Sequence, residues 1–412
     1  MQFSPRTWIE IDTQAIKHNI AALQEIAGGI QLAPVIKSNA YGHGNVLVGK
    51  ICDQMDAVSL ICVAFLSEAL QLRAQGVKKP ILVLTGIDSD INTCLNQNIQ
   101  FTISSYEMAT ELDVIAREHA CIIEIHLKID TGLGRFGIAP EQAVFIATKI
   151  ALLEHIKLVG IYTHLAEAGT QNSNLTPLQI SRFQTIIHEL KTLGICPVFI
   201  HCANSAGTIL AIPECTVARP GLGLYGIWPA QHVKEYCAIA YPNVTLIPAL
   251  SWKTHILHIR TFPAHTAIGY EQTYRTIRDT RIGILPIGYY DGYHTQLGNR
   301  AQVLVENHYG PVIGRVAMNT ISIDITDIPT ATIGSIVTLI GTDELVSITT
   351  LTHLVGSTNT RQMLCQINSE IPRIASREPM PILKNLPVRP EEVCNTISKG
   401  QITADHSFIK TT

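Results

Sequence analysis

The sequence predicts an α/β fold, a (β/α)8 barrel of the TIM type followed by a mostly β C-terminal domain. Three observations carry that prediction. Short β-branched runs near residues 33–37, 59–64, 80–85, 100–103, 121–129, 157–163, 197–202 and 215–219 alternate with helical segments, giving eight strand-then-helix units over about 220 residues. The chemically unusual residues, Lys37, Lys128 with Asp130, His164, Asn204 with Ser205, and Arg219, lie at or just beyond the C-terminal ends of these runs. A barrel gathers all eight ends at one mouth, where barrel enzymes carry their chemistry, and a doubly wound open sheet does not. From about residue 235 helical periods fade, and Ile321-Ser322-Ile323-Asp324-Ile325-Thr326 alternates with a period of two.

In chain order, TWIEID opens as a strand, and Asp12 to Gly28 reads as an amphipathic helix. Ile16, Ile20 and Leu23 stand at helical spacing there, behind an acidic N-cap and before a Gly-Gly stop. The helix before the seventh run has Thr176-Pro177 at N-cap and N1 and runs through Ile180, Phe183, Ile187 and Leu190 to a stop at Gly194. In the β domain, turns are expected at His308-Tyr309-Gly310-Pro311 and at Gly334. The expected domains are a barrel over 8–234 and a β domain over 235–377, with the N-terminal strand of 1–12 packing against the latter. A polar, Pro-containing tail over 378–412 is expected to be poorly ordered.

Composition excludes several function classes. With Lys+Arg 30 against Asp+Glu 33 and a pI near 6.6, no basic stripe suits nucleic acid or an anionic membrane surface. The ten cysteines form no C-x-x-C pair, so neither a metal site nor a disulfide framework is expected. The start lacks a signal-type apolar segment, and no stretch approaches the roughly 18 apolar residues of a membrane span. A cytoplasmic, soluble protein is expected.

The most informative stretch is Pro34-Val35-Ile36-Lys37-Ser38-Asn39-Ala40-Tyr41-Gly42-His43-Gly44, an apolar run ending in one lysine and a Gly-flanked polar turn. A lysine leaving a strand end for a pocket is desolvated, loses its charge readily and can attack a carbonyl. Further motifs follow in order: HLKIDTGLGRFG (126–137), YTHLAEAG (162–169), HCANSAG (201–207), ARPGLGLYG (218–226), GYEQTY (269–274), PIGYYDGY (286–293) and GRVAMN (314–319). Together these resemble the alanine racemase family over residues 7 to about 376.

The resemblance implies a pyridoxal 5'-phosphate enzyme that moves a proton between the two faces of Cα, for which it needs an imine-forming lysine and an acid/base group on each face. Lys37 matches that lysine and one of the bases. The opposing base matches Tyr270, lent by the partner subunit of a head-to-tail homodimer; without the resemblance, Tyr270 and Tyr274 are equal candidates. A phenol is ordinarily protonated at neutral pH, so cations or hydrogen bonds must stabilise its anion. Pro220-Gly221-Leu222-Gly223 and Asn204-Ser205 offer donors to a phosphate after the last two strands, and Tyr41 matches a phosphate-contacting tyrosine. Arg219 matches the arginine at the pyridine nitrogen, where a permanently protonated donor weakens the electron sink and restrains side reactions such as transamination. His164 matches a histidine holding the cofactor ring. Lys128 matches a lysine that the family can carry carbamylated, holding Arg135 against the substrate carboxylate; its alternative is a plain pairing with Asp130. Tyr289 and Met318 match partner-contributed entrance and carboxylate contacts.

Three positions depart from the family pattern. Met318-Asn319 stands for Met-Asp, Arg361 for an entrance tyrosine, and Gly169 for an acid. A wider, more cationic entrance puts serine alongside alanine as a substrate. The resemblance therefore implies an alanine racemase activity supplying D-alanine for peptidoglycan. The alternatives are a decarboxylase of the same fold, which usually places an acid at the pyridine nitrogen, and a non-catalytic carrier of the cofactor consisting of the barrel alone.

Overall fold

Pro34 shows how the chain shapes the barrel. The computed structural model describes residues 5–212 and 215–376. Its first strands are β1 (Thr7–Ile11), β2 (Gln31–Leu32), β3 (Ile61–Phe65), β4 (Ile81–Gly86), β5 (Ile99–Ile103), β6 (Ile123–Lys128), β7 (Ile156–Tyr162), β8 (Phe199–His201) and β9 (Val217–Ala218). Strands β3 to β8 form one parallel sheet in sequence order, and β2 pairs in parallel with β9. Pro34 has no N–H to donate, so regular pairing stops at Leu32 and resumes as a single bridge from Val35 to Cys62. Backbone bonds close the ring at this point. Ile36 donates to Cys62 and Cys62 to Pro34, both at 2.9 Å, while Ala33 donates to Ala218 at 2.7 Å and Val35 to Pro220 at 2.9 Å. Thr216 donates to Ile200 at 2.8 Å and joins β9 to β8. Eight parallel segments thus surround one interior, as expected.

Helices cover the outside. Thr13–Ile26 is capped by Asp12, whose carboxylate accepts from Gln14 and Ala15 at 2.9 Å, and it buries Ile16, Ile20 and Leu23 completely. Burying each such side chain contributes about 1.5–3 kcal/mol. The helix expected to start at Thr176-Pro177 begins at Leu175, with Asn174 at the N-cap position, so Pro177 lies within the first turn, where its missing N–H has no intrahelical partner to lose.

The remaining strands are β10 (Leu250–His255), β11 (His258–Phe262), β12 (Ala267–Ile268), β13 (Tyr274–Arg275), β14 (Thr280–Leu285), β15 (Gln302–Val305), β16 (His308–Ile313), β17 (Ile321–Asp324), β18 (Ile336–Ile340) and β19 (Arg373–Ala375). Nine strands make one sheet in the order β11-β14-β17-β16-β15-β18-β10-β1-β19. The N-terminal strand therefore joins the β domain, antiparallel to β10 with Ile9 opposite Trp252. Two local expectations need correction. Residues 308–311 are strand, and the turn lies one step earlier, at Glu306 and Asn307, both with positive φ, as a two-residue hairpin between Val305 and His308 demands. Residue 234 falls inside a helix, Gln231–Ala240, and the β texture starts at Leu250. The tail expected over 378–412 lies outside the described residues.

Candidate active site

The C-terminal ends of the barrel strands open into a cavity of about 610 Å³. Lys37, Tyr41, Arg135, His164, Asn204, Ser205, Arg219, Gly221, Leu222 and Arg361 all line it, so ten of the fourteen expected site residues converge. Gly169 lines it too, and a side chain there would meet only Ala206 Cβ, at 3.7 Å. Sequence reasoning missed Phe136, Tyr162, Glu167 and Cys365 on the same wall. The lining holds four cations against the single carboxylate of Glu167.

Lys37 begins a short turn, Lys37–Tyr41, with an uncommon backbone. Ser38, Asn39, Ala40 and Tyr41 all have φ between 52° and 54°, the left-handed region that non-glycine residues avoid. Contacts from outside hold it, beside His43 Nδ1, which lies 3.1 Å from the carbonyl oxygens of Ala40 and Tyr41. Glu68 Oε1 accepts from the Ser38 N–H at 2.6 Å while its Oε2 accepts from Ala64 at 2.7 Å. Asn39 Oδ1 accepts from the Asn45 N–H at 3.1 Å. Gly42, with φ +85°, lies against Leu364 O so closely that a Cβ would approach it to 2.5 Å, which presses the turn onto the helix Thr360–Cys365 that carries Arg361 and Cys365. Burial and then the Arg135 charge lower the Lys37 pKa from its ordinary value, so more of its amine is free, with Glu68 opposing.

Arg219 is buried and in no ion pair among the described residues. It donates to His201 Nδ1 at 2.5 Å, His201 O at 2.8 Å and Thr163 O at 2.8 Å. Neutral acceptors leave its charge available to the cavity. Burial and the same cations push His164 down to about 3, which keeps it uncharged. Opposite, Ser205 Oγ accepts from the N–H of Gly221 at 2.8 Å and of Gly223 at 3.2 Å, and fixes the glycine turn after β9. Gly221 needs to be glycine: a Cβ would lie 2.8 Å from Tyr41 Oη. Burial pushes the Tyr41 phenol up to about 12, so it stays a donor.

Lys128 ends β6 buried, with its Nζ 3.3 Å above the Phe136 ring centroid and no hydrogen-bond partner. Its expected alternative partner is occupied elsewhere. Asp130 accepts from the N–H groups of Gly132, Leu133, Gly134 and Arg135 at 2.8–3.1 Å, and so shapes the loop that presents Arg135. Burial, then Arg135, lowers Lys128 to about 8. Asp130 opposes that shift from a distance but forms no ion pair with the amine, so Lys128 lacks a bonded counter-charge.

Tyr270, Tyr289 and Met318 do not line the cavity. All three are exposed, at 72%, 46% and 54%, on neighbouring loops of the β domain. Tyr289 donates its N–H to Ala317 at 3.1 Å and Tyr290 to Met318 at 3.1 Å, while Glu271 pairs with Arg315. One chain therefore carries two separate halves, a cationic cavity and an exposed tyrosine-methionine patch.

Residues 11–229 match the alanine racemase N-terminal domain family, and residues 249–375 match the alanine racemase C-terminal domain family. The class is thus that of racemases built from a barrel and a β domain. A relative from Methanococcus maripaludis, an alanine racemase, is 37% identical over 374 residues, covering 89% of this chain and 98% of its own. One from Desulforamulus reducens is 35% identical over 372 residues, with 89% and 98% covered. Among solved structures, alanine racemase from Clostridium difficile 630 superposes with a TM-score of 0.83 at 28% identity, over 91% of this chain and 97% of that one. Alanine racemase from Bacillus anthracis with bound L-Ala-P gives 0.80 at 31% identity, over 92% and 97%. The chain belongs to the alanine racemase family, and it is an isomerase that interconverts the enantiomers of alanine.

Proposed function

We propose that this interconversion depends on pyridoxal 5'-phosphate and uses two bases, Lys37 of one subunit and Tyr270 of the partner subunit, in a homodimer with shared sites. The observation that carries the reading is the division just described: a desolvated amine in a cation-lined cavity and an exposed patch, on the same chain, holding the matching tyrosine.

The residues fit the cofactor. A cavity of about 610 Å³ suits a small cofactor with an amino acid. Arg219, buried without a carboxylate, is a donor waiting for a neutral ring nitrogen, and Ser205, Gly221, Leu222 and Tyr41 form a small-residue cradle for the phosphate. Pyridoxal 5'-phosphate, when bound, supplies an electron sink for the pair left on Cα. Lys37 Nζ then takes or returns the proton on one face, and the partner's Tyr270 does so on the other. Arg135 orients the substrate carboxylate and His164 packs at the ring. Carbamylation of Lys128, which consumes CO2 and releases a proton, would turn the side chain into an anion and supply the counter-charge that Arg135 lacks. Arg219 in place of an acid supports a racemase over a decarboxylase.

The D-alanine formed would serve peptidoglycan precursors in the cytoplasm. Eight cysteines among the described residues carry free thiols, which suits a reducing compartment. No helix among these residues is long and apolar enough to cross a membrane. Serine is proposed as a second substrate, on the room beside Gly169 and the Arg361 charge.

The test is incubation with pyridoxal 5'-phosphate and L-alanine in deuterated water, following Cα exchange and optical rotation. Exchange with inversion supports the reading. Release of CO2 would replace it with a decarboxylase, and neither signal with a carrier. Rescue of a D-alanine-requiring bacterium by the expressed chain tests the cell-wall role.

A further inference from the structure

Behind Arg219, toward the N-terminal ends of the strands, a continuous file of polar side chains crosses the barrel interior. His201 Nδ1 takes the Arg219 N–H at 2.5 Å, and His201 Nε2 lies 2.8 Å from His126 Nδ1. His126 Nε2 lies 2.8 Å from Gln100 Oε1, Gln100 Nε2 donates to Glu124 Oε2 at 2.8 Å, and Glu124 Oε1 accepts from Lys157 at 2.8 Å. Gln100, His126, His201 and Arg219 are buried, and only Glu124 and Lys157 reach water.

Only one arrangement of protons satisfies every atom. Glu124 as a carboxylate accepts only, so Gln100 must turn its NH2 toward it and its Oε1 toward His126. That oxygen requires His126 to carry its proton on Nε2, which leaves Nδ1 as an acceptor. His201 must then also be the Nε2–H tautomer, and its free Nδ1 lone pair meets Arg219, which can only donate. Every hydrogen bond points from the arginine to the carboxylate. Burial and Arg219 hold both imidazoles neutral, His126 at about 3 and His201 well below its ordinary value, in keeping with this order. The packing is built for it. Gly160 on β7, the strand between those of the two histidines, pairs with His126, and a Cβ there would come within 2.0 Å of His126 Nδ1. Phe199 stacks on His126 at 5.4 Å and Tyr162 on His201 at 4.8 Å, with the Arg219 guanidinium 4.9 Å above the Tyr162 ring.

We propose that Glu124, Gln100 and His126 are positioning residues: they hold His126 in the tautomer that accepts the His201 Nε2–H, which steadies the His201 ring and through it the direction in which Arg219 presents its remaining N–H bonds to the cavity. The role toward a bound cofactor rests on the reading of Arg219 given above; the tautomer order does not. Without Gln100, His126 could carry its proton on Nδ1, facing the His201 N–H. Because Arg219 can only donate, His201 would keep its Nδ1 for the guanidinium, and its Nε2–H would lose the His126 acceptor that steadies the ring. The guanidinium would then swing or lose an anchor, although no residue touching the ligand has changed.

The test uses the full chain with pyridoxal 5'-phosphate, labelled with 15N at histidine, and reads the ring nitrogens at neutral pH with resonances assigned by single substitutions. Both His126 and His201 are expected to be neutral and protonated at Nε2. Gln100→Leu, and separately Gly160→Ala, should introduce Nδ1–H signal, shift the cofactor's visible absorption and lower kcat about tenfold while KM for alanine moves by less than about twofold, the scale on which outer partners act through an inner one. Lys157→Ala, which removes only the outer ion pair, should change none of these. A His201 protonated at Nδ1 in the unsubstituted protein would overturn the proposal. So would substitutions that alter the tautomers and leave absorption and kcat as they were. Should the chain take up no cofactor, the ring-nitrogen spectra still decide the tautomer order, so that failure is separable from failure of the two-base reading.

Discussion

Replacing Glu68 with alanine isolates the device that holds Lys37 in place. Four successive residues after Lys37 are left-handed, and at about 1–2 kcal/mol each the turn stores roughly 4–8 kcal/mol relative to ordinary backbone. Glu68 is a charged group bonded to it, through Ser38 at 2.6 Å, while its other oxygen ties the same carboxylate to Ala64 at 2.7 Å. A hydrogen bond to a charged group contributes about 1.5–3 kcal/mol, and the Ser38 end is exposed, so the pair together holds the turn by about 2–3 kcal/mol. The remaining anchors, Asn39, the Gly42 contact, the His43 bonds to Ala40 and Tyr41 and the Arg373 bond to Gly42, are then left to oppose the strain alone. If the lost 2–3 kcal/mol falls on the population with Lys37 correctly aimed, turnover drops about 30-fold to 150-fold. Racemisation kinetics with Glu68→Ala read this directly, and a thermal melt confirms that the variant is folded. Glu68→Gln, whose amide oxygen can still accept from Ser38 or Ala64, should recover part of the loss. Wild-type kcat in a folded Glu68→Ala protein would refute the argument that the turn is held from outside.

Other consequences are equally accessible. Mixed and re-associated Lys37→Ala and Tyr270→Phe chains, each inactive alone, should regain about a quarter of wild-type activity, since half the random pairs hold one intact site; no recovery would remove the shared-site reading. Lys128, lowered to about 8 from an ordinary 10.5, binds fewer protons folded than unfolded, so its penalty is full below pH 8 and fades as pH rises toward 10.5. In carbonate-free buffer Lys128→Met should therefore melt above wild type at pH 7, with the difference closing near pH 10; a gap that widens with pH would contradict the assignment. Gly221→Ala places a methyl 2.8 Å from Tyr41 Oη and should weaken pyridoxal 5'-phosphate binding about tenfold in an absorbance titration, the order expected of one displaced hydrogen bond. Gly169→Glu has space to fold and should lower the serine-to-alanine ratio of kcat/KM; an unchanged ratio would show that the entrance does not select.

The barrel was legible because its strands are buried on both faces and read as β-branched runs, and because its reactive residues all sit at one end of them. The edges were less so. Pro34 cuts the first run to a two-residue strand, and the turn of the β15–β16 hairpin, expected at His308-Tyr309-Gly310-Pro311, is made by Glu306 and Asn307, while Gly310 serves to admit its neighbour strand, with Asp324 O only 3.1 Å from where a Cβ would lie. Helix Gln231–Ala240 buries only Val233 and Cys237 and leaves Ile239 exposed, so the texture of the sequence changed before the fold did.

In the site, what sequence could show depended on whether a residue acts by type or by direction. Lys37, Arg135, Arg219 and His164 are recognisable as types. Glu68 is not, since a glutamate in the first turn of a helix is ordinary; only its reach back to Ser38 gives it a task. The file behind Arg219 shows why such residues escape notice. Gln100, Glu124, His126 and His201 read as scattered polar positions in strands whose other residues are mostly apolar, and Gly160 as a weak point in another. A signal did exist, since those strands are neighbours and a polar residue facing a barrel interior must find a partner there or leave a buried group unmet. Several such residues at successive levels of neighbouring strands, with a glycine on the strand between two of them, imply a chain of bonds before any coordinates are seen. Its polarity follows from the one member that can only accept and the one that can only donate. Glu124 and Arg219 sit at the two ends, and the neutral groups between them have a single consistent way to face.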